Sequence, residues 1–163
     1  SFLSAYCHYM ESPGFELDQT DTKTAIDKLE LFMVRYPETT LKDSCNTLID
    51  ELRVKLEMKD YMAAQQYLRT RYYEAASQAL QGFLRKWPNS VHREDALFSI
   101  FQANHDLAVN SVDYKRAERN EAGIRSFDTF ADAFPQSPML PQARTMLRDL
   151  TPKNERSQRP TTP

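Results

Sequence analysis

The chemistry-bearing residues of this 163-residue chain are few: three histidines and two cysteines. His8, His92 and His105 lie far apart in sequence, with no acid or cysteine at zinc-ligand spacing. Cys7 and Cys45 fit neither a zinc pattern nor a disulfide framework. There is no glycine-rich phosphate loop and no nucleophile elbow. Glu94 and Asp95 are adjacent, so on a helix they diverge rather than converge on a substrate. These observations predict no catalytic centre, no metal and no cofactor, and hence no enzyme.

What remains is the chemistry of contact. In "YKRAERNE" (114–121), Arg116 and Arg119 stand at i, i+3 on one side of a helix. The run reads either as a solvated face or as an electrostatic contact for a partner. In "RKWPNSVHRED" (85–95), Arg85, Trp87, Arg93, Glu94 and Asp95 gather around a turn. Arginine is enriched where proteins bind one another, so Arg85, Arg93, Arg116 and Arg119, with Glu94 and Asp95, are the candidate partner-binding residues. Trp87 reads as core. The formal net charge of −2 argues against a nucleic-acid partner, which would need a concentrated basic surface.

The elements that carry these residues are helices. Only 3 residues are glycine, while good helix formers are plentiful. Three segments end alike: "FMVRYPET" (32–39), "FLRKWPNS" (83–90) and "FADAFPQS" (130–137). Twelve residues before Pro37, Pro88 and Pro135 stand Ala25, Ala76 and Gly123; eight before, Leu29, Leu80 and Phe127. Five before stand Phe32, Phe83 and Phe130, and one before, Tyr36, Trp87 and Phe134. These steps trace one face of an α-helix, so all twelve residues are assigned to a repeat core. The small residue marks where a neighbouring helix passes close. Proline ends the helix, and Thr39, Ser90 and Ser137 are placed to cap the next one. The prolines recur at intervals of 51 and 47 residues, which suggests stacked helical hairpins.

The intervening stretches fit this scheme. No glycine or proline interrupts 41–69 or 91–111, so each predicts a long helix, with Leu48, Leu52, Leu56 and Tyr67 continuing an apolar face in the first. The charged "EMKD" (57–60) breaks that face. Residues 1–10 read as a helix with Leu3, Tyr6, Cys7 and Met10 on one side, an apolar face that needs a partner. "FLSAYC" matches a lipoprotein signal only loosely, because Tyr6 stands where a small residue should precede the cysteine. "SPGFELDQTDT" (12–22) is either a plain connector or an exposed loop carrying Phe15 and Leu17 onto a neighbour, with Asp21 or Thr22 capping the next helix. From residue 150 the chain reads as a disordered tail, after a single helical domain over 1–149.

The small–x3–large…Pro pattern resembles the second helix of the tetratricopeptide repeat, and Ala64, Tyr67 and Tyr73 fit its first helix. The longer units, with "DQTDT", "YYEAASQALQGFLRKWPNSVHREDALFSI" and "LAVNSVDYKRAER", resemble the BamD (YfiO/ComL-type) family of outer-membrane β-barrel assembly lipoproteins over about residues 1–149. The resemblance implies an all-α fold of about seven helices in a right-handed superhelical stack. It implies that the chain covers the third to fifth repeats, the earlier repeats and the acylated cysteine lying upstream. It implies a non-catalytic scaffold at the periplasmic face of the outer membrane. The implied partners are a BamA-like POTRA/barrel protein, other assembly lipoproteins and unfolded outer-membrane proteins. An arginine that the family uses against BamA falls at or near Ala79 here, so that contact does not carry over. The alternative is another tetratricopeptide adaptor, binding peptide ends in a concave groove lined by basic and Asn side chains.

Overall fold

The computed structural model describes residues 1–151, and among these it is entirely helical, with tetratricopeptide-like helical repeats. The helices are α1 (Phe2–Glu11), α2 (Thr20–Arg35), α3 (Lys42–Arg69), α4 (Tyr73–Lys86), α5 (Arg93–Val109), α6 (Asp113–Ala133) and α7 (Leu140–Leu150). The chain divides into two compact units, residues 1–62 and 63–163, with the boundary inside α3. Most of the tail predicted from residue 150 lies outside the described residues; Leu150 itself is buried in α7.

The three proline-ended helices close with one geometry. The N–H of Tyr36, Trp87 and Phe134 donates to the carbonyl four residues back (Phe32, Phe83, Phe130) at 3.0, 2.8 and 2.9 Å. Each of these residues then leaves the helix with φ between −124° and −134° and ψ between 67° and 71°. The N–H of Thr39, Ser90 and Ser137 next bonds the carbonyl of Tyr36, Trp87 and Phe134. Proline cannot donate and pushes its predecessor out of the helical region, so the same residue types give the same exit three times. The three hydroxyls do not cap in the manner expected. They accept from the N–H two residues on (Leu41, His92, Met139), forming serine/threonine turns ahead of the helix. The N-cap positions of α5 and α7 are His92 and Met139.

In the first unit, Ala25 and Leu29 of α2 pack with Ala5 of α1 and with Cys45, Ile49 and Leu52 of α3. The buried side of α1 is therefore Phe2, Ala5 and Tyr9, and the predicted face is exposed, Leu3 at 72 % and Met10 at 66 %. On α3 the predicted Leu52 is wholly buried, whereas Leu48 is only half-buried and Cys45 and Ile49 take the inward side beside it. Tyr36 departs from its assignment to the core: it is 51 % exposed. It is the residue at which the chain leaves α2, and it lies against Phe32, ring centroids 5.2 Å apart.

In the second unit, α5 lies between α4, α6 and α7 and buries nine residues around its circumference. Phe98 meets Phe130, and Phe101 meets Phe127, with centroids 5.6 and 5.5 Å apart. Gly123 lies where α7 crosses α6: a Cβ there would stand 2.5 Å from Leu150 Cδ1. The turn from α3 to α4 puts Arg71 at φ 62°, with Tyr72 N–H on Tyr67 O and Arg71 N–H on Leu68 O. This is a Schellman ending with arginine in the left-handed position that glycine usually takes.

Candidate partner-binding surface

The six residues chosen for partner contact separate into two groups. Arg85, in the last turn of α4, and Arg93, Glu94 and Asp95, in the first turn of α5, flank the turn 87–92. Arg116 and Arg119 are in the first two turns of α6, beyond the other end of α5, whose 17 residues span about 25 Å.

Arg116 and Arg119 both reach back to Ser111. Arg116 donates to its carbonyl at 3.2 Å and Arg119 to its hydroxyl at 2.6 Å, while that hydroxyl donates to Leu107 O. Arg116 also stands 3.6 Å from Asp113. Their common side is thus turned onto the α5–α6 connection, where they satisfy a buried polar residue.

Arg93 donates to Pro88 O at 3.4 Å, bracing the turn. Glu94 has one buried carboxylate oxygen with no hydrogen-bond donor among the described residues. Both line a shallow cleft of about 600 Å³ with Asn89, Val91 and Phe134. Asp95 is exposed. Trp87 is half-buried, with Lys86 Nζ 5.4 Å from the centre of its ring.

Arg85 is exposed and lines a groove of about 510 Å³ between α4, α5 and α6. Ser77, Gln81 and Arg85 rise from α4 at successive turns; Asn104 comes from α5; Arg125, Ser126 and Thr129 come from α6. Leu97 and Ile100 are part of the same lining. Arg125 is paired with Glu121 at 3.3 Å. The groove offers amides, hydroxyls and guanidinium groups above an apolar floor.

Three clusters escaped the sequence reading. His8 does have acid partners: its Nδ1 lies 3.4 Å from Glu11 Oε2 and 3.9 Å from Asp21 Oδ1. The i, i+3 spacing of His8 and Glu11 was the available signal, whereas Asp21 comes close only because α1 folds back on α2. His105 is buried with Asp106 at 2.9 Å and Asp149 at 3.3 Å, joining α5 to α7.

The third cluster holds the loop 12–19. Lys59 Nζ donates to the carbonyls of Phe15, Glu16 and Leu17, the last at 2.6 Å. Lys55 Nζ donates to Ser12, whose hydroxyl meets that of Thr22; Thr22 in turn donates to Gln19 Oε1. Gln19 Nε2 closes the chain on Gly14 O and Leu17 O. Asp21 and Thr22, expected to cap α2, both lie within its first turn, Thr22 being wholly buried; the N-cap residue is Gln19, without a side-chain cap bond, and Asp18 accepts from Thr20 N–H at 2.9 Å in a turn ahead of the helix. The Thr20 hydroxyl and N–H hold the Asp18 carboxyl below the usual aspartate range. Burial pushes the Cys45 thiol up, away from the reactive thiolate.

The fold and these features can be set beside known families. The model of the YfiO family, described as outer membrane lipoproteins, matches residues 1–120. The chain belongs to the YfiO family. The match runs from α1 into α6 and so includes the first two copies of the proline-ended motif, the clamped loop and five of the helices in full. No curated protein matches the chain at a meaningful level. Membership in the YfiO family accords with an association with the outer membrane, and among the described residues no helix is long and apolar enough to cross a bilayer.

Proposed function

We propose that this chain is a non-catalytic scaffold of the outer-membrane β-barrel assembly machinery, binding the POTRA domains of a BamA-like protein and partner lipoproteins. Its place would be the periplasmic face of the outer membrane, held there by a lipid anchor. The observation that supports this reading is the YfiO-family match, on a helical-repeat frame that suits protein contact. Arg85, Arg93, Glu94 and Asp95 are the proposed contact residues. Arg116 and Arg119 join them only through the parts of their guanidinium groups that Ser111 leaves open.

The test is titration against isolated POTRA domains. Arg85→Glu should leave the melting temperature nearly unchanged, as surface changes usually do. It should weaken binding by about 2 kcal/mol or more if the charge is buried in the contact. Unchanged affinity for both Arg85→Glu and Arg93→Glu would move the interface elsewhere.

The groove favours a second reading. Arg85, Asn104 and Arg125 above Leu97 and Ile100 form the lining expected of a clamp for peptide ends. Peptides with a free terminal carboxylate should then bind better than their amides, and Asn104→Ala should remove the difference.

A further inference from the structure

We propose that His8, Glu11 and Asp21 form a binding site for a zinc-class divalent cation that ties α1 to α2, with Lys28 as the built-in competitor for it. The three ligand atoms, one imidazole nitrogen and two carboxylate oxygens, all lie within 4.8 Å of one another. Around a tetrahedral zinc ion with bonds of about 2.0–2.2 Å, neighbouring ligand atoms stand about 3.3–3.5 Å apart. The separations of 3.4 and 3.9 Å from His8 Nδ1 need only sub-ångström to ångström movements to reach that geometry. The side chains that must move can: Glu11 and Asp21 are 63 % and 53 % exposed, while His8 is the better buried anchor.

A second observation points the same way. Among the described residues, His8 Nδ1 is buried without a hydrogen-bond partner. A polar atom in that state is costly unless something engages it. The site also lies at the last turn of α1, whose carbonyl end favours positive charge. The ligand set selects the metal class. A mixed nitrogen–oxygen site suits zinc and its neighbours, whereas calcium and magnesium prefer oxygen throughout.

Lys28 explains why the site need not be loaded. Its Nζ contacts His8 Nε2 on the other side of the ring. With the ammonium donating to Nε2, the neutral ring carries its proton on Nδ1, facing the two carboxylates. A cation bound at Nδ1 requires the other tautomer: the ring proton moves to Nε2, no net proton is released, and Lys28 turns toward solvent. Metal and Lys28 therefore exclude each other at this histidine, and the ammonium charge adds repulsion across a few ångströms.

The experiment is calorimetric titration of zinc chloride into the full chain, stripped of metal and carrying Cys7→Ser so that the exposed thiol adds no ligand. One equivalent should bind, and the thermal midpoint should rise. Lys28→Met should tighten binding about tenfold by removing the competing charge. His8→Ala and, more gently, Glu11→Gln should weaken it by tenfold or more. Helical content by circular dichroism distinguishes lost ligands from lost fold. No binding even to Lys28→Met, or equal binding to the His8→Ala variant when it is folded, would overturn the proposal.

Discussion

Residues 1–62 and the described part of 63–163 are built around the same helix ending, yet they fill its inner face differently. In the second unit, Phe83 and Phe130 are buried, 4 % and 0 % exposed. An apolar α5 lies against both helices that carry them. In the first unit the equivalent Phe32 is only partly buried and Tyr36 is half in solvent. There α1 adds rings rather than a deep core: Phe2 meets Phe32 at 5.7 Å and Tyr6 at 6.0 Å. Polar ties supply the rest, from Lys55 and Lys59 to the loop, Tyr9 to Glu51 and Arg53 to Glu30. A repeat motif thus specifies where a helix ends and which side faces inward. How deeply that side is buried depends on the neighbouring helix.

The sharpest test of the contrast is truncation at the equivalent phenylalanines. Phe130→Ala and Phe83→Ala should each cost about 3–5 kcal/mol, and Phe32→Ala about half as much, since part of its surface already meets water. Equal losses in urea unfolding would erase the distinction between the units. Gly123→Ala should cost about 1–3 kcal/mol, because the new methyl group overlaps buried Leu150. The matching change in the other direction, Ala25→Gly, should cost less, about 1 kcal/mol, mainly through helix propensity.

Lys59→Met probes the polar side of the comparison. It removes a charged donor from three carbonyls, but the loop is near water and those carbonyls can be hydrated. A loss of about 1 kcal/mol is expected. Amide exchange should speed up in 12–22 and stay unchanged in α5 and α6; protection lost throughout would mean that the loop supports more than its own unit. Arg71→Gly should stabilise the second unit by about 0.5–1 kcal/mol, since glycine bears the left-handed conformation without strain.

The smallest effect concerns pH in the first unit. The lowered pKa of Asp18 means that its turn contributes stability above the usual aspartate range, and the contribution is lost as pH falls through the lowered value. Asp18→Asn should keep the turn and remove that dependence, read as amide exchange at the start of α2 on acidification.

Much of this architecture is written locally. The positions of Pro37, Pro88 and Pro135, with Ala25, Ala76 and Gly123 twelve residues earlier, are enough to place α2, α4 and α6 and their common exit. Proline and helix periodicity act within one or two turns of chain, and the bare spacing carries them. The absence of breakers in 41–69 likewise foretells a 28-residue α3. Packing decided what periodicity could not. Residues 1–10 have two apolar faces, and only the passage of α2 selected Phe2, Ala5 and Tyr9 over Leu3, Tyr6 and Met10. The charge of Lys59 looked like a break in an apolar stripe; its role depends on a loop more than forty residues earlier. Arg116 and Arg119 read as a solvated face or a partner contact, and a turn folded back beneath them. His8 met Asp21 because two helices cross. Each of these outcomes turns on atoms that are remote in sequence and near in space, and a charged or polar group is settled only by what stands across from it.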